Sequence, residues 1–160
     1  IEARELQRVV VAEKSARGVV LRVGSQLLFG PGSAQLRPES LVFLNDVARL
    51  IRNVPGQISV EGHADIQGHS DGVSNWALSS GRSLATLTHL IEVEGIEADR
   101  LRATAFGSTR PIASNEHDAG RALNRRVEFV FLRTAIDLDA TEWVEATRVG
   151  RSIAETEGSQ

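Results

Sequence analysis

The chain has 160 residues, of which 41% are hydrophobic and 4% aromatic, so its length and composition suit one domain with an aliphatic core. Its formal net charge is −3 at pH 7, which lacks the positive footprint of a nucleic-acid-binding protein, and no nucleic-acid partner is expected. The chain has no cysteine, which excludes disulfide bonds and thiolate metal sites.

Methionine is absent throughout, including position 1, which predicts that the chain is a piece of a longer protein. No apolar run approaches the roughly 20 residues that a membrane span requires. A membrane segment or export signal is therefore expected to precede Ile1.

The first half of the chain predicts two helices and two strands. Residues 2–15 are predicted to form a helix that leads out of the missing part, so 1–18 is expected to be a linker or stalk. The remaining elements are a β-branched strand at 19–23, a turn-rich loop at 30–33, a helix from Pro38 to about Asn53, and an alternating, half-buried strand at 57–62.

The second half predicts a long helix followed by two strands. Ser74 is expected to cap a helix that ends at Gly95, with Leu84, Leu87 and Ile91 as its apolar stripe. The other elements are a polar loop at 66–73, strands at 101–106 and 126–132, and a last helix that begins near Asp139.

This order of elements predicts an α/β fold in which helices pack on a mixed sheet as a two-layer sandwich. The strand–helix–strand unit of 57–106 should place its two strands parallel with a right-handed crossover. Asp65 then lies just beyond the carboxyl end of its strand, where open α/β sheets bind ligands.

Asp65 and Arg82 are the first candidates for a binding site. A carboxylate and a guanidinium held a few ångströms apart can grip a small zwitterion, the acid on its ammonium and the arginine on its carboxylate. Asn75 lies seven positions before Arg82, about 700° around a helix, so the two share a face with Ser79 between them. The alternative is a solvated helix face beside a surface loop.

Metal binding and catalysis are weaker interpretations. His63, Asp65, His69 and Asp71 could ligate a metal, but their spacing matches no specific metal motif, and His63 is expected to hydrogen-bond to backbone at its strand end. Ser79, His63 and Asp65 could form a triad on paper, but no Gly-x-Ser-x-Gly elbow or phosphate loop is present. We therefore expect no metal, no cofactor and no enzyme activity.

Four blocks in order, VEGHAD, SNWALSSGRS, ATAFGSTRPIASN and GRALNRRVEFVF, resemble the OmpA-like peptidoglycan-binding domain. The resemblance predicts such a domain over 19–133 and leaves 134–160 as a C-terminal helical extension. With LLFGPGSAQLRPE upstream, the chain is most similar to the periplasmic part of a MotB-type flagellar stator subunit. The resemblance implies a periplasmic domain of an inner-membrane protein whose membrane helix is absent from this chain.

The resemblance also implies roles for individual residues. Asp65 should bind the ammonium of the diaminopimelate residue in the peptidoglycan stem peptide, and Arg82 its carboxylate. Ala64 departs from the usual Thr or Ser, which predicts weaker affinity. Asn75 and Leu78 should line the pocket, and the possible supporting residues are His63, Ser79, Asn124, Arg125 and Arg126.

The implied partners are peptidoglycan, a second copy of the chain in a homodimer, and a MotA-type stator subunit reached through the absent membrane part. Three alternatives stay open. The chain could belong to an outer-membrane or lipoprotein anchor, to an anchor of a non-flagellar ion-driven complex, or to a cell-wall hydrolase. Arg125 and Arg126 precede the last strand, where charge pairs are commonly solvated.

Overall fold

The fold is given by a computed structural model that describes residues 10–67 and 74–133. Its strands are β1 (Val10–Ser15), β2 (Gly18–Gly24), β3 (Ile58–His63), β4 (Leu101–Ala105) and β5 (Arg126–Leu132). Its α-helices are α1 (Ser25–Leu28), α2 (Leu41–Asn53), α3 (Asn75–Glu92) and α4 (Asp118–Asn124), with single 3-10 turns at Pro38–Ser40 and Ala98–Arg100.

The five strands form one mixed sheet in the order β1-β2-β5-β3-β4. β3 and β4 are parallel, as predicted for the two strands joined through α3, and the other neighbouring pairs are antiparallel. The fold is the predicted α/β arrangement of helices on a mixed sheet.

The hydrophobic core lies between one face of this sheet and the helices α2 and α3. Alternate residues of the central strands point into it, since side chains along a strand alternate between faces. Its fully buried members include Val23, Val60, Val127 and Phe129 from the sheet, Leu44, Val47 and Ile51 from α2, and Leu90 from α3.

The predicted helix over 2–15 is wrong for its last six residues, which form β1. Val10 to Ser15 pair antiparallel with β2 in the register Val10↔Val23 to Ser15↔Gly18. Gly18, at φ 137°, follows a two-residue connection that closes this hairpin. Ladder hydrogen bonds to β2 therefore prevail over the helix propensity of Ala12, Glu13 and Lys14.

α3 begins where predicted, since the Ser74 hydroxyl accepts a hydrogen bond from the Ala77 amide at 3.1 Å. The predicted apolar stripe is only part of its inward face: Leu87 and Ile91 are partly buried against the core, whereas Leu84 is 57% exposed. The residues that α3 buries are Leu78, Ser79, Arg82, Ser83, Thr86 and Leu90. This face is mostly small and polar, so hydrophobicity alone could not identify it.

β3 is buried on both faces, whereas the sequence predicts a half-buried strand. Ile58 and Val60 lie in the core, and Ser59, Glu61 and His63 occupy the opposite face of the sheet, where each is at most 3% exposed. A polar strand face therefore does not mean a solvent-exposed one in this fold.

Some predictions concern residues outside the described ranges. They include the N-terminal part of the predicted helix 2–15, most of the loop 66–73 with His69 and Asp71, and the helix from Asp139. The domain boundaries at 18/19 and 133/134 stay predictions. Within residues 10–67 and 74–133, no helix has the length and apolar character needed to cross a membrane.

Candidate functional site

A cavity of about 560 Å³ opens between the loop that follows β2, the loop that follows β3 and the first half of α3. Its volume lies in the range of about 300–1,000 Å³ that is typical of ligand pockets. Its described lining residues are Ser25, Gln26, Phe29, Gly30, Pro31, Gly32, Arg37, Asp65, Gln67, Leu78, Arg82, Ala122 and Arg125. Four predicted site residues therefore lie together: Asp65, Leu78, Arg82 and Arg125.

Asp65 lies two residues beyond the end of β3 and is 4% exposed. One carboxylate oxygen, Oδ1, accepts a hydrogen bond from the Gln67 amide at 2.8 Å, which fixes the side chain in a local turn. The other oxygen, Oδ2, accepts from the Arg125 guanidinium at 2.5 Å. Because an ionised carboxylate offers about four acceptor positions, Asp65 keeps capacity for a further donor.

Arg82 lies two turns into α3 and is 3% exposed. Its Nε donates to the Ser33 carbonyl at 2.9 Å, and its Nη2 donates to the Gly30 carbonyl at 3.2 Å. The guanidinium also lies 5.3 Å from the centre of the Phe29 ring, within cation–π range. Arg82 thus holds the loop 30–33 as well as lining the cavity.

The environment of Arg82 disfavours its charged form. Burial, followed by repulsion from Arg125, lowers the pKa of Arg82 to about 10, and attraction by Asp65 opposes the shift. The guanidinium stays protonated at neutral pH. An anion that entered the cavity would reduce this electrostatic penalty.

The spacing between Asp65 and Arg82 depends on a close approach of β3 and α3. A Cβ placed on Gly62 would lie 2.1 Å from the Ser79 carbonyl oxygen, so only glycine permits this contact. Gly62 precedes Asp65 by three residues, and Ser79 precedes Arg82 by three. This contact therefore sets how far apart the acid and the arginine lie.

Only part of the polar stripe predicted on α3 faces the cavity. The Ser79 hydroxyl points toward the loop after β4, where it accepts from the Gly107 amide at 3.1 Å. Asn75 is not among the cavity's lining residues, and its Oδ1 is buried without a hydrogen-bond partner in the described part of the chain. The cavity wall of α3 consists instead of Leu78 and Arg82.

Asn124 is fully buried, at 0% exposure, and lies outside the cavity lining. Its Oδ1 accepts from the amides of Ile112 and Ala113 at 2.7 and 3.0 Å. Its Nδ2 donates to the Ala113 carbonyl and to Asn115 Oδ1, both at 2.9 Å. Asn124 therefore fixes the loop before α4, and through it the adjacent Arg125.

The alternative in which Arg125 and Arg126 are a solvated charge pair is wrong for Arg126, which is 3% exposed. Its Nε donates to Glu128 at 2.9 Å, and its other donors reach the carbonyls of Asn124 and Arg110. Burial lowers the pKa of Arg126 despite this ion pair. Arg126 stabilises the start of β5 on the sheet face opposite the helices and lies outside the cavity.

His63 lies beside this ion pair and is 3% exposed. It stacks on Phe106 with the ring centres 5.0 Å apart. The predicted backbone hydrogen bond is wrong, because neither ring nitrogen has a partner in the described part of the chain. Burial, followed by repulsion from Arg126, lowers the pKa of His63 to about 4, so the ring is neutral at pH 7.

Glu61, His63 and Glu128 place one potential ligand atom each within 4.8 Å of one another, which is a metal-compatible spacing. Both carboxylates already have cationic partners, however. Arg17 forms two hydrogen bonds to Glu61, at 2.8 and 2.5 Å, and Arg126 pairs with Glu128. A divalent cation would meet two guanidinium groups there, so the cluster suits an ion-pair network better than a metal.

Two of the three residues of the hypothetical Ser79, His63 and Asp65 triad have other partners. The Ser79 hydroxyl is bonded to Trp76 and Gly107, and Asp65 is bonded to Gln67 and Arg125. His63 accepts no hydrogen bond from Ser79, and neither ring nitrogen has a hydrogen-bond partner among residues 10–67 and 74–133. These side chains therefore do not form a nucleophile–base relay.

Arg37, Gln26 and Phe29 line the cavity but were not predicted as site residues. Arg37 precedes the 3-10 turn, and its Nη1 donates to the Gln26 carbonyl at 3.0 Å. No local pattern marks these residues, because their role depends on the loop after β2 folding over α3. The resemblance block LLFGPGSAQLRPE contains Phe29 and Arg37 without distinguishing them, and Gln26 directly precedes it.

Comparison with known proteins identifies related sequences. A family model described as OmpA family matches residues 28–125. Motility protein B of Bacillus subtilis is 30% identical over 135 residues, which cover 82% of this chain and 52% of that protein. The peptidoglycan-binding protein ArfA of Mycobacterium tuberculosis is 36% identical over 108 residues, which cover 67% of this chain and 32% of that protein. The chain thus spans about half of the first relative and a third of the second.

Solved structures give the same result for the fold. The periplasmic domain of Helicobacter pylori MotB matches with a TM-score of 0.72 at 27% identity, covering 92% of this chain and 91% of that one. The cell wall anchor of the T6SS from Pseudomonas aeruginosa matches with a TM-score of 0.71 at 34% identity, covering 79% of this chain and 90% of that one. None of these four proteins is named as an enzyme.

Proposed function

Since this chain belongs to the OmpA family, we propose that it is a non-catalytic peptidoglycan-binding domain that anchors a membrane complex to the cell wall. Relatives named for peptidoglycan binding and for cell-wall anchoring support the proposal. The chain spans only part of these relatives, so the activity and partners of the whole protein are proposals as well.

The observation that carries the proposal is the pairing of Asp65 and Arg82 on the walls of one cavity. Both side chains are at least 95% buried, so their charges act through a poorly hydrated space. Such a site favours a ligand that presents an ammonium and a carboxylate a few ångströms apart. The Asp65 carboxylate is already bonded to the Gln67 amide and the Arg125 guanidinium, which fits binding rather than bond cleavage.

We propose the diaminopimelate residue of the stem peptide as that ligand. Its free end carries an ammonium and a carboxylate on the same carbon. Asp65 accepts from the ammonium, Arg82 donates to the carboxylate, and Leu78 packs against the methylene chain. Ala64 offers no hydroxyl to the ligand, which limits the affinity.

The similarity to Motility protein B and MotB favours a flagellar stator subunit as the parent protein. In that setting the domain lies in the periplasm, forms a homodimer and meets a MotA-type subunit through a membrane helix outside this chain. The similarity to the T6SS anchor favours a second candidate, an anchor of a non-flagellar complex. In both candidates the same cavity binds the same peptidoglycan stem peptide.

Titration calorimetry with a diaminopimelate-containing muropeptide tests the proposal. Asp65→Asn removes the negative charge with little change of shape, and Arg82→Lys removes the bidentate fork. Each change should weaken binding roughly ten- to hundredfold, the equivalent of about 1.5–3 kcal/mol for a charge-assisted hydrogen bond. Asp99→Asn and Arg49→Lys, which alter exposed residues outside the cavity, should bind like the unsubstituted protein.

Thermal melts of each variant separate a lost contact from a lost fold. Unchanged affinity in folded Asp65→Asn and Arg82→Lys proteins would mean that this cavity does not bind the muropeptide. The hydrolase alternative predicts release of soluble muropeptides from sacculi, which the proposed binder should not produce.

A further inference from the structure

The cavity carries more positive charge than a zwitterion requires. Among its described lining residues, the charged side chains are Arg37, Arg82, Arg125 and a single acid, Asp65. A ligand with one ammonium and one carboxylate matches Asp65 and Arg82 and adds no net charge. It leaves two guanidinium groups without an anionic partner in the cavity.

Arg125 is the first of these two. In the ligand-free protein it satisfies Asp65, with Nη1 2.5 Å from Oδ2. A ligand ammonium that binds Asp65 competes with this contact. The Arg125 side chain is 39% exposed and that of Asp65 is 5% exposed, so Arg125 is the partner that can move. Once released, its guanidinium can pair with another anion in the cavity.

Arg125 also acts on Arg82. Its charge is one of the causes that lower the pKa of Arg82 to about 10, after burial itself. Two like charges that face one cavity repel each other, and an anion placed between them removes this repulsion. A second carboxylate near Arg125 therefore favours both arginines.

Arg37 is the second arginine, and it lines the cavity next to the same short helix, α1, that Arg125 contacts. The Ser25 amide donates to the Arg125 carbonyl at 2.9 Å, and the neighbouring Gln26 carbonyl accepts from Arg37 at 3.0 Å. Both arginines are thus tied to the first turn of α1, Arg125 through its backbone and Arg37 through its side chain. Glu39, 3.6 Å from Arg37 Nε, is 68% exposed, so this surface pair competes weakly with a ligand.

We propose that Arg125 and Arg37 form a subsite for a second carboxylate of the ligand. The subsite rests on the proposed function, since it extends the clamp of Asp65 and Arg82. In diaminopimelate the second carboxylate is the one at the centre that joins the peptide. It is free only when this residue ends the stem peptide. The domain then prefers stem peptides that end at diaminopimelate with this second carboxylate free. Stem peptides that are amidated at this carboxylate, or that continue beyond it, should bind more weakly.

Two synthetic peptides that differ in one group test this preference. The first is L-alanyl-γ-D-glutamyl-meso-diaminopimelate, and the second is the same tripeptide with a primary amide at the peptide-joined centre. Calorimetry should give about tenfold weaker binding for the amide, because one charge-assisted contact is lost. A third peptide, amidated at the free zwitterionic end instead, tests the clamp separately.

Substitutions then test whether Arg125 and Arg37 cause this preference. Arg125→Gln and Arg37→Gln combined should bring the ratio of the two affinities close to one, while Arg49→Gln should leave it unchanged. Thermal melts check that each variant is folded.

Equal affinity of the unsubstituted protein for the first two peptides would overturn the subsite while leaving the clamp in place. A preference that survives in the folded double variant would also overturn it. If the amide at the zwitterionic end is without effect, the proposed function itself fails.

Discussion

Gly62→Ala tests whether the contact between β3 and α3 sets the geometry of the cavity. The added Cβ would lie 2.1 Å from the Ser79 carbonyl oxygen and 2.8 Å from its carbonyl carbon. Both are backbone atoms, so no side-chain rotation can relieve the clash. α3 must therefore move away from the sheet.

The size of the movement follows from these distances. Ordinary contact begins near 3.4 Å, so the helix has to retreat by more than an ångström from its present 2.1 Å. Overpacking of this kind typically costs about 1–3 kcal/mol, and the rigid neighbour places Gly62→Ala near the upper end. For a domain of this size, such a loss lowers the melting temperature by about 10 °C.

The same movement displaces Arg82 relative to Asp65. A binding site tolerates errors of about 0.5 Å in the position of its groups, so the affinity for a muropeptide should fall at least about tenfold. Calorimetry and thermal denaturation of the same samples measure both effects.

Gly30→Ala is the matched control, because a Cβ at Gly30 meets no atom within 4 Å and its backbone needs no positive φ. Its melting temperature should stay within a few degrees of the unsubstituted protein. A Gly62→Ala protein with unchanged stability and unchanged affinity would refute the reasoning.

Two further predictions concern buried polar groups. The pKa of His63 falls from 6.5 to about 4 on folding, so the unfolded chain takes up a proton first as the pH drops. The free energy of unfolding should therefore decrease by about 3 kcal/mol between pH 6.5 and 4 through this residue, and urea melts of His63→Gln should show a correspondingly smaller decrease. Equal pH dependence in both proteins would contradict this assignment. Asn124→Ala leaves the amides of Ile112 and Ala113 without their acceptor, and urea melts should show a loss of about 3 kcal/mol, whereas the exposed Asn45→Ala should lose little.

The fold was predictable where strands have β-branched or alternating patterns. The prediction for β5 matches its observed bounds, and those for β2, β3 and β4 match theirs within about one residue. β1 could not be predicted, because its residues favour a helix locally and only pairing with β2 makes them a strand. The polar part of the buried face of α3 escaped prediction for a related reason. Its close approach to the sheet selects small residues such as Ser79 rather than large apolar ones.

The sequence predicted that Asp65 and Arg82 lie near each other, but it did not predict which protein groups each of them contacts. Asp65 follows a strand end and Arg82 follows a helix start, so chain order alone places them near each other. The contact between Asp65 and Arg125 joins residues 60 positions apart and depends on β5 lying beside β3. The buried ion pair of Arg126 likewise requires a covered sheet face, which no local pattern reveals.

The central claim is that this cavity recognises an ammonium and a carboxylate on one carbon. Co-sedimentation with sacculi tests it most directly, with one preparation carrying diaminopimelate in the stem peptide and the other carrying lysine, which lacks that carboxylate. The account predicts that the protein pellets with the diaminopimelate sacculi, that it stays in solution with the lysine sacculi, and that Asp65→Asn stays in solution with both. Equal pelleting of the unsubstituted protein with the two preparations would contradict the account.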